Sequence, residues 1–225
     1  RIFPYDHIFA MLVEKSNLLG SNHKYANINF NGTNWGVMNI EDTKNKNYLE
    51  LNKFPGDLVA RFGNQENYLY ERQIEIEPLN PLVDLSISDI NFNKLGNPYH
   101  NNYIYYQIYN NKFEEIFDNE KMIRSILIAL IWGNLHSVEL TNLRFAFNKF
   151  TLKFEPILSD VGVKYKKIED YDELFNNYLE HLKIFLNNNT DKKIIFKNLK
   201  IINNGLVSLS NELHKVNNLF KYNRN

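Results

Sequence analysis

The spacing of apolar positions changes along this chain, and the changes mark its elements. From Phe3 to Leu19, Ile8, Phe9, Leu12 and Val13 recur at helical intervals, with Leu18 and Leu19 at the end and Gly20 as a stop. That spacing predicts an amphipathic helix. The period then drops to two. Ala26, Ile28 and Phe30 alternate with Tyr25, Asn27 and Asn29. Asn31-Gly32 suits a type I′ turn, because both central positions need positive φ. Thr33 to Ile40 returns as a strand, with Trp35, Val37 and Asn39 on one face and Gly36, Met38 and Ile40 on the other. Glu41-Asp42 stand at its end.

Lys44 to Leu51 reads as a short helix, Pro55-Gly56 as a turn and Asp57 to Phe62 as a third strand; Leu69 to Glu77 alternates weakly. Residues 78–117 are irregular and rich in Asn, Pro and Tyr, and read as a lid-like insertion of short elements. Asp118 is an expected N-cap for a helix carrying Met122, Ile123, Ile126, Leu127, Leu130 and Ile131. This helix is apolar nearly all round towards its end, which predicts a buried central helix. Gly133-Asn134 closes it. Leu143 to Phe147 and Leu152 to Pro156 form a second expected hairpin, joined through Asn148 to Thr151, with Asp160-Val161-Gly162 just beyond. Two amphipathic helices finish the chain, one with Leu174, Phe175, Tyr178, Leu182 and Phe185, the other with Leu206, Leu209, Leu213, Val216 and Phe220. Strands first and helices later predict an α+β fold.

The 225 residues form one expected domain, 1–225, with a sheet-rich lobe over about 1–77, the insertion at 78–117 and a helical lobe over 118–225. Lys+Arg and Asp+Glu are both 26, so net charge gives no sign of a nucleic-acid partner. Cysteine is absent, which excludes disulfides, cysteine nucleophiles, thiolate zinc sites and iron–sulfur clusters. The longest apolar run, Ile126 to Trp132, is far short of the roughly 18 residues of a membrane span. The chain begins at Arg1 with no signal-peptide pattern and reads as a fragment or a processed product; its compartment is left open. Asparagine stands at roughly 16%, well above ordinary usage, while apolar periodicity continues between the Asn residues, as expected of an AT-rich coding sequence rather than a low-complexity tract.

The chemistry concentrates around the second hairpin. A hairpin brings its two ends together, so Asn142 before it and Asp160 after it are expected to face one point. An amide oxygen and a carboxylate there suit Mg²⁺, a hard cation that prefers oxygen ligands and phosphate partners. Protein kinases hold their metals in this way, with a catalytic-loop Asn and a later Asp. The plainer alternative makes Asn142 a turn cap and Asp160 a surface acid.

Two stretches resemble the CotH kinase family, the spore-coat-type atypical protein kinases. The first is Tyr25-Ala-Asn-Ile-Asn-Phe-Asn-Gly-Thr-Asn-Trp-Gly-Val-Met-Asn-Ile-Glu-Asp42, similar to the family's strand, Asn-Gly, aromatic-Gly and strand ending in Glu. The second runs from Gly133-Asn-Leu-His-Ser through Asn142-Leu-Arg-Phe-Ala-Phe-Asn to Phe154-Glu-Pro-Ile-Leu-Ser-Asp160. Together they anchor roughly residues 3–162. The resemblance implies an atypical protein-kinase-like fold in a divergent, N-terminally truncated member: an antiparallel hairpin sheet, then a mostly helical lobe with a central helix and a metal-site β-hairpin. It implies ATP and Mg²⁺ as cofactors, a nucleotide and a protein substrate as partners, and phosphorylation of protein Ser/Thr or another hydroxyl. Asn142 and Asp160 would be metal ligands, Glu41 would close the nucleotide site, and Arg61 stands where the family tends to offer Lys to the phosphates. Arg is not equivalent to Lys, and a surface cation at a strand end is the alternative.

The departure lies before Asn142. A kinase loop places an Asp five residues ahead of the metal Asn to orient the substrate hydroxyl; here that position is Ser137. His136 and Glu139 are the nearby groups able to act as the base. A non-catalytic coat or cell-surface interaction scaffold is therefore the rival function. Other signals are thinner. The six His lack zinc-ligand spacing, and Ser137 beside His136 lacks a nucleophile elbow. The run Tyr99, Tyr103, Tyr105, Tyr106 and Tyr109 offers either stacking on bases or sugars or simple packing. Lys164, Lys166 and Lys167 form a small basic patch.

Overall fold

The computed structural model describes residues 5–56, 58–62, 85–86, 99, 103, 113–133, 136–138, 142–160 and 192–222. The weakly alternating stretch at 69–77, the expected helix at 174–185, Glu139, the lysines at 164–167 and Tyr105, Tyr106 and Tyr109 lie outside the described residues. Within them the fold is α+β, built from small sheets and helices.

Helix α1 spans Tyr5–Lys15 and buries Phe9, Leu12 and Val13, the stripe its spacing predicts. It stops earlier than expected. Leu19–Gly20 is not its end but a two-residue strand, β1, running parallel to a strand far along the chain. Strands β2 (His23–Phe30) and β3 (Thr33–Glu41) form the first hairpin, and Asn31 and Gly32 both have positive φ, as the type I′ turn needs. Among the described residues this hairpin is a two-stranded ribbon apart from the main sheet. Helix α2 covers Lys46–Leu51, with the Asn45 side chain accepting from Tyr48 N at its start.

Strand β4 (Val59–Phe62), within the third strand expected at 57–62, pairs with β6 (Arg144–Asn148), and on its other edge with β5 (Leu85–Ser86). Helix α3 covers Phe113–Ile116, and Ile116 and Phe117 are core residues at the end of the stretch read as an insertion. Helix α4 (Asn119–Trp132) has the expected caps: Asp118 accepts from Lys121 N, and Gly133 closes it in the left-handed region. Its end is less enclosed than the sequence suggests, since Ile131 is exposed. A 3₁₀ turn follows at His136–Val138. Strand β7 (Lys153–Leu158) completes the second hairpin, so the sheet order is β1-β7-β6-β4-β5. The chain therefore does not lay down its strands first: β6 and β7 are the middle of the main sheet.

Alternation decides the layers. Leu58, Ala60, Phe145, Phe147, Phe154 and Leu158 face one side and join Phe9, Leu12, Ile126 and Ile128 in the main core. Val59, Ala146 and Ile157 face the other side and pack against Tyr48 and Leu49 of α2. Each large side chain buried this way stabilises the fold by roughly 1.5–3 kcal/mol before chain entropy is counted. The last helix, α5 (Lys192–Tyr222), starts earlier than its predicted stripe. Among its described side chains, Asn198, Ile202, Gly205 and Leu209 are buried, while Leu213 is exposed. Gly205 lets α1 cross closely, because a Cβ there would sit 2.9 Å from Ser16 Oγ and 3.3 Å from the Lys15 backbone.

Candidate functional site

The register of the main sheet gathers the candidate residues at one end. Arg61 of β4 lies opposite Arg144 of β6, Arg144 opposite Ile157 of β7, and Ile157 opposite Leu19 of β1. These four positions form a row across the sheet. Asn142 is two residues outside that row on one side of the hairpin. Ser159 is two residues outside it on the other, with Asp160 next along.

The side chain of Asn142 spans this corner. Its Nδ2 donates to Ser159 O at 3.0 Å, to His136 O at 3.1 Å and, more weakly, to Asp160 O at 3.4 Å. Asp160 takes a left-handed backbone, φ 53°. His136 Nε2 stands 3.7 Å from Asp160 Oδ2, and both side chains are more than a third exposed. Ser137, at the position where a kinase loop would carry its Asp, is wholly buried. Counting along the loop therefore misidentifies the outward position: the 3₁₀ turn presents His136 to solvent and Ser137 to the core.

Glu41 of the ribbon is linked to the end of β7 through Ser21. Ser21 N donates to Leu158 O at 3.1 Å, and Ser21 Oγ donates to Glu41 Oε1 at 2.6 Å. Lys44 Nζ donates to the same carboxylate oxygen, and its side chain is 8% exposed. Asn22 Nδ2 donates to Asp42 Oδ2 at 3.1 Å, and Tyr48 OH to Gly20 O at 2.7 Å. The Gly20–Asn22 stretch thus ties the ribbon, α2 and the end of β7 together. The side chain of Arg61 and the whole of Glu139 lie outside the described residues; only the Arg61 backbone is placed, in the row above.

Two cations at this end were not singled out by sequence reasoning, Lys44 and Arg144. The signal for Arg144 was its position two residues after Asn142. Lys44 follows Glu41 by three residues, a spacing that becomes an ion pair only once the chain turns between β3 and α2.

Among the described residues the side-chain oxygens that this corner could offer a cation are the Asp160 carboxylate and Asn142 Oδ1, since the Asn142 nitrogen is committed to carbonyls. Such a donor set suits a hard cation shared with phosphate and water. No group of three or more His, Cys, Asp or Glu is arranged to hold a metal among the described residues. Compared with known proteins, the chain matches no family model and no curated protein sequence. No helix among the described residues is long and apolar enough to cross a membrane.

Proposed function

We propose that this chain is a CotH-like, ATP- and Mg²⁺-dependent phosphotransferase domain that acts on a protein Ser/Thr or another hydroxyl. One observation carries the reading: Asn142, Asp160 and His136 share the corner to which Ser21 links Glu41. In this reading Asp160 and Asn142 Oδ1 hold Mg²⁺, whose charge would offset that of the triphosphate. His136 accepts the proton of the attacking hydroxyl, kept beside the site by its contact with Asp160. Glu41 holds Lys44 at the edge of the nucleotide site, and Arg61 and Arg144 supply positive charge along the neighbouring row. Positioning and charge neutralisation do most of the work. The test is thermal stabilisation by ATP: a Tm rise that requires Mg²⁺ and disappears in Asp160→Ala supports the reading. Absence of any rise at millimolar nucleotide refutes it.

A second reading, a non-catalytic coat or cell-surface interaction scaffold, is favoured by the ribbon. Tyr25, Phe30, Trp35, Val37, Met38 and Ile40 are all exposed on it, and apolar surface of this kind marks contact with a partner. It expects no phosphate transfer and partner capture that survives Asp160→Ala.

A further inference from the structure

We propose that the tip of the β2–β3 ribbon is a self-modification site: Asn31 loses ammonia to the backbone nitrogen of Gly32 and passes through a cyclic imide to isoaspartate. This goes beyond the phosphotransferase reading and does not depend on it.

Such a step needs a side-chain amide, a following residue with no side chain in the way, and a backbone free to bring the two together. Asparagine is abundant in this chain, yet only two copies precede glycine, in Asn31-Gly32 and Asn204-Gly205. Their surroundings are opposite. Asn31 and Gly32 are both exposed, and a Cβ built on Gly32 would meet nothing within 4 Å beyond its chain neighbours. The ladder closes on the Phe30–Thr33 pair, which leaves the Gly32 N–H outside it. Asn204-Gly205 lies inside α5, where the Gly205 N–H belongs to the helix ladder and Gly205 itself is buried.

The chemistry is self-contained. Gly32 N gives its proton to hydroxide and attacks Asn31 Cγ. A C–N bond forms, the Cγ–Nδ2 bond breaks, and the leaving nitrogen takes a proton from water to depart as ammonia. Water then opens the imide at either carbonyl. Opening at Cγ leaves an aspartate in the ordinary chain; opening at the main-chain carbonyl routes the chain through the side chain as isoaspartate.

The turn is already set for ring closure. A nearly planar imide eclipses Gly32 N with Asn31 Cβ, which for an L residue puts ψ at position 31 near −120°, the value of the first central residue of a type II′ turn. Types I′ and II′ share a positive φ at that residue, and Asn31 has φ 49°. Ring closure therefore asks only that the Asn31–Gly32 peptide plane flip, taking Gly32 from φ 78° to about −80°, a change of sign that glycine makes freely. Both turns suit a two-residue hairpin loop, so β2 and β3 stay paired while the ring forms. In α5 the same ψ is incompatible with the helix, so Asn204 must wait for local unfolding.

The product changes the ribbon. The stretch from Tyr25 to Ile40 has no charged side chain, so the new carboxylate is its first. Isoaspartate also adds one carbon to the main chain between Phe30 and Thr33, beside the Phe30–Trp35 ring contact at 5.1 Å. Loop length fixes hairpin register, so the tip must re-pair.

The test compares the two Asn-Gly pairs in the full chain, incubated folded and in urea at mildly alkaline pH. Tryptic peptides Tyr25–Lys44 and Ile201–Lys215 separate the sites, and mass spectrometry with electron-transfer fragmentation locates each deamidated residue and tells isoaspartate from aspartate. In urea the two sites should convert at similar rates. In the folded protein Asn31 should convert at least about tenfold faster than Asn204, which its helix protects, and isoaspartate should be the main product. A folded-state rate at Asn31 no faster than that at Asn204 overturns the proposal, and so does conversion of Asn31 without isoaspartate, which would mean direct hydrolysis with no imide.

Discussion

Arg124 offers a quantitative test of how the helical layer is held. It lies in the middle of α4 and is 5% exposed. Its Nε donates to Asn198 Oδ1 on α5 at 2.8 Å, and its Nη1 donates to Ser16 O at 3.0 Å and Asn17 O at 3.4 Å, just past the end of α1. Burial pulls its guanidinium below the ordinary pKa, while the Glu120 and Asp118 carboxylates pull the other way. The cation caps carbonyls that α1 leaves unpaired and sits at the negative end of that helix. Replacing Arg124 with Met fills similar volume and removes the cost of burying a charge. It leaves Asn198 Oδ1, in a fully buried residue, without this donor, together with the two carbonyls. An orphaned buried acceptor costs about 1–3 kcal/mol, and relief of the buried charge offsets part of that. We expect a net loss of about 2–3 kcal/mol, or a Tm drop of roughly 4–12 °C for a chain of this size. Asn198→Leu should cost about as much, since it strands the guanidinium. The two changes together should cost about 2–3 kcal/mol, not the sum of roughly 5, because Asn198→Leu removes the side-chain acceptor that Arg124→Met strands and Arg124→Met removes the Nε donor that Asn198→Leu strands, leaving the two carbonyls without their donor. Urea unfolding of the four proteins followed by circular dichroism measures this cycle. Additive losses, or an Arg124→Met variant within about 0.5 kcal/mol of the wild type, would refute the account.

Two further outcomes follow from the packing of the sheet. Gly56→Ala places a Cβ 2.0 Å from Phe147 O, a backbone atom in the middle of β6 that cannot swing aside; we expect a loss of about 3 kcal/mol or more, and an unchanged Tm would show that the Pro55-Gly56 turn moves freely. Tyr48 donates to Gly20 O and is buried; burial first, and Asp42 second, raise its phenol above its ordinary pKa of 10.0. The folded state thus keeps Tyr48 neutral where the unfolded chain begins to ionise. Its contribution is complete below about pH 10 and is lost as pH climbs beyond that. Tyr48→Phe should cost about 1 kcal/mol at pH 8, and its stability should fall less steeply than the wild type's above about pH 10. A constant gap between the two up to pH 11 would contradict this.

Local pattern was legible in this sequence and distant pairing was not. The ribbon turn at Asn31-Gly32, the caps of α4 at Asp118 and Gly133, and the second hairpin all follow from residues within one turn or one strand of each other. The bulge in β3 did not follow: Asn29 pairs with Asn34 and Ile28 with Gly36, so Trp35 is an extra residue and Gly36 takes φ 80°. An Asn34-Trp35-Gly36 run was a faint signal, since the Asn34 side chain accepts from Gly36 N. β1 was missed because two residues carry no periodicity, and its partner β7 lies most of the chain away. The same holds for β4, whose alternation fits either neighbour and is decided by β6. At the site, the approach of Asn142 to the Ser159–Asp160 corner follows from hairpin register, which is readable. The inward turn of Ser137 is set by tertiary packing, which is not. Arg124 interrupts an otherwise apolar helix, and its partners, Ser16 beyond α1 and Asn198 on α5, are distant in sequence.

The parallel pairing of β1 with β7 also has a temporal side. During synthesis Leu19 and Gly20 leave the ribosome long before Ile157 and Leu158, and the side of α1 that meets α5 waits longer still. Contacts so far apart along the chain close slowly. Until then the nascent chain carries an uncovered apolar helix face beside a ribbon with open edges, the kind of surface that invites chaperone binding or mispairing. The corner of Asn142 and Asp160, and its link through Ser21 to Glu41, would then take shape only after β7 has emerged.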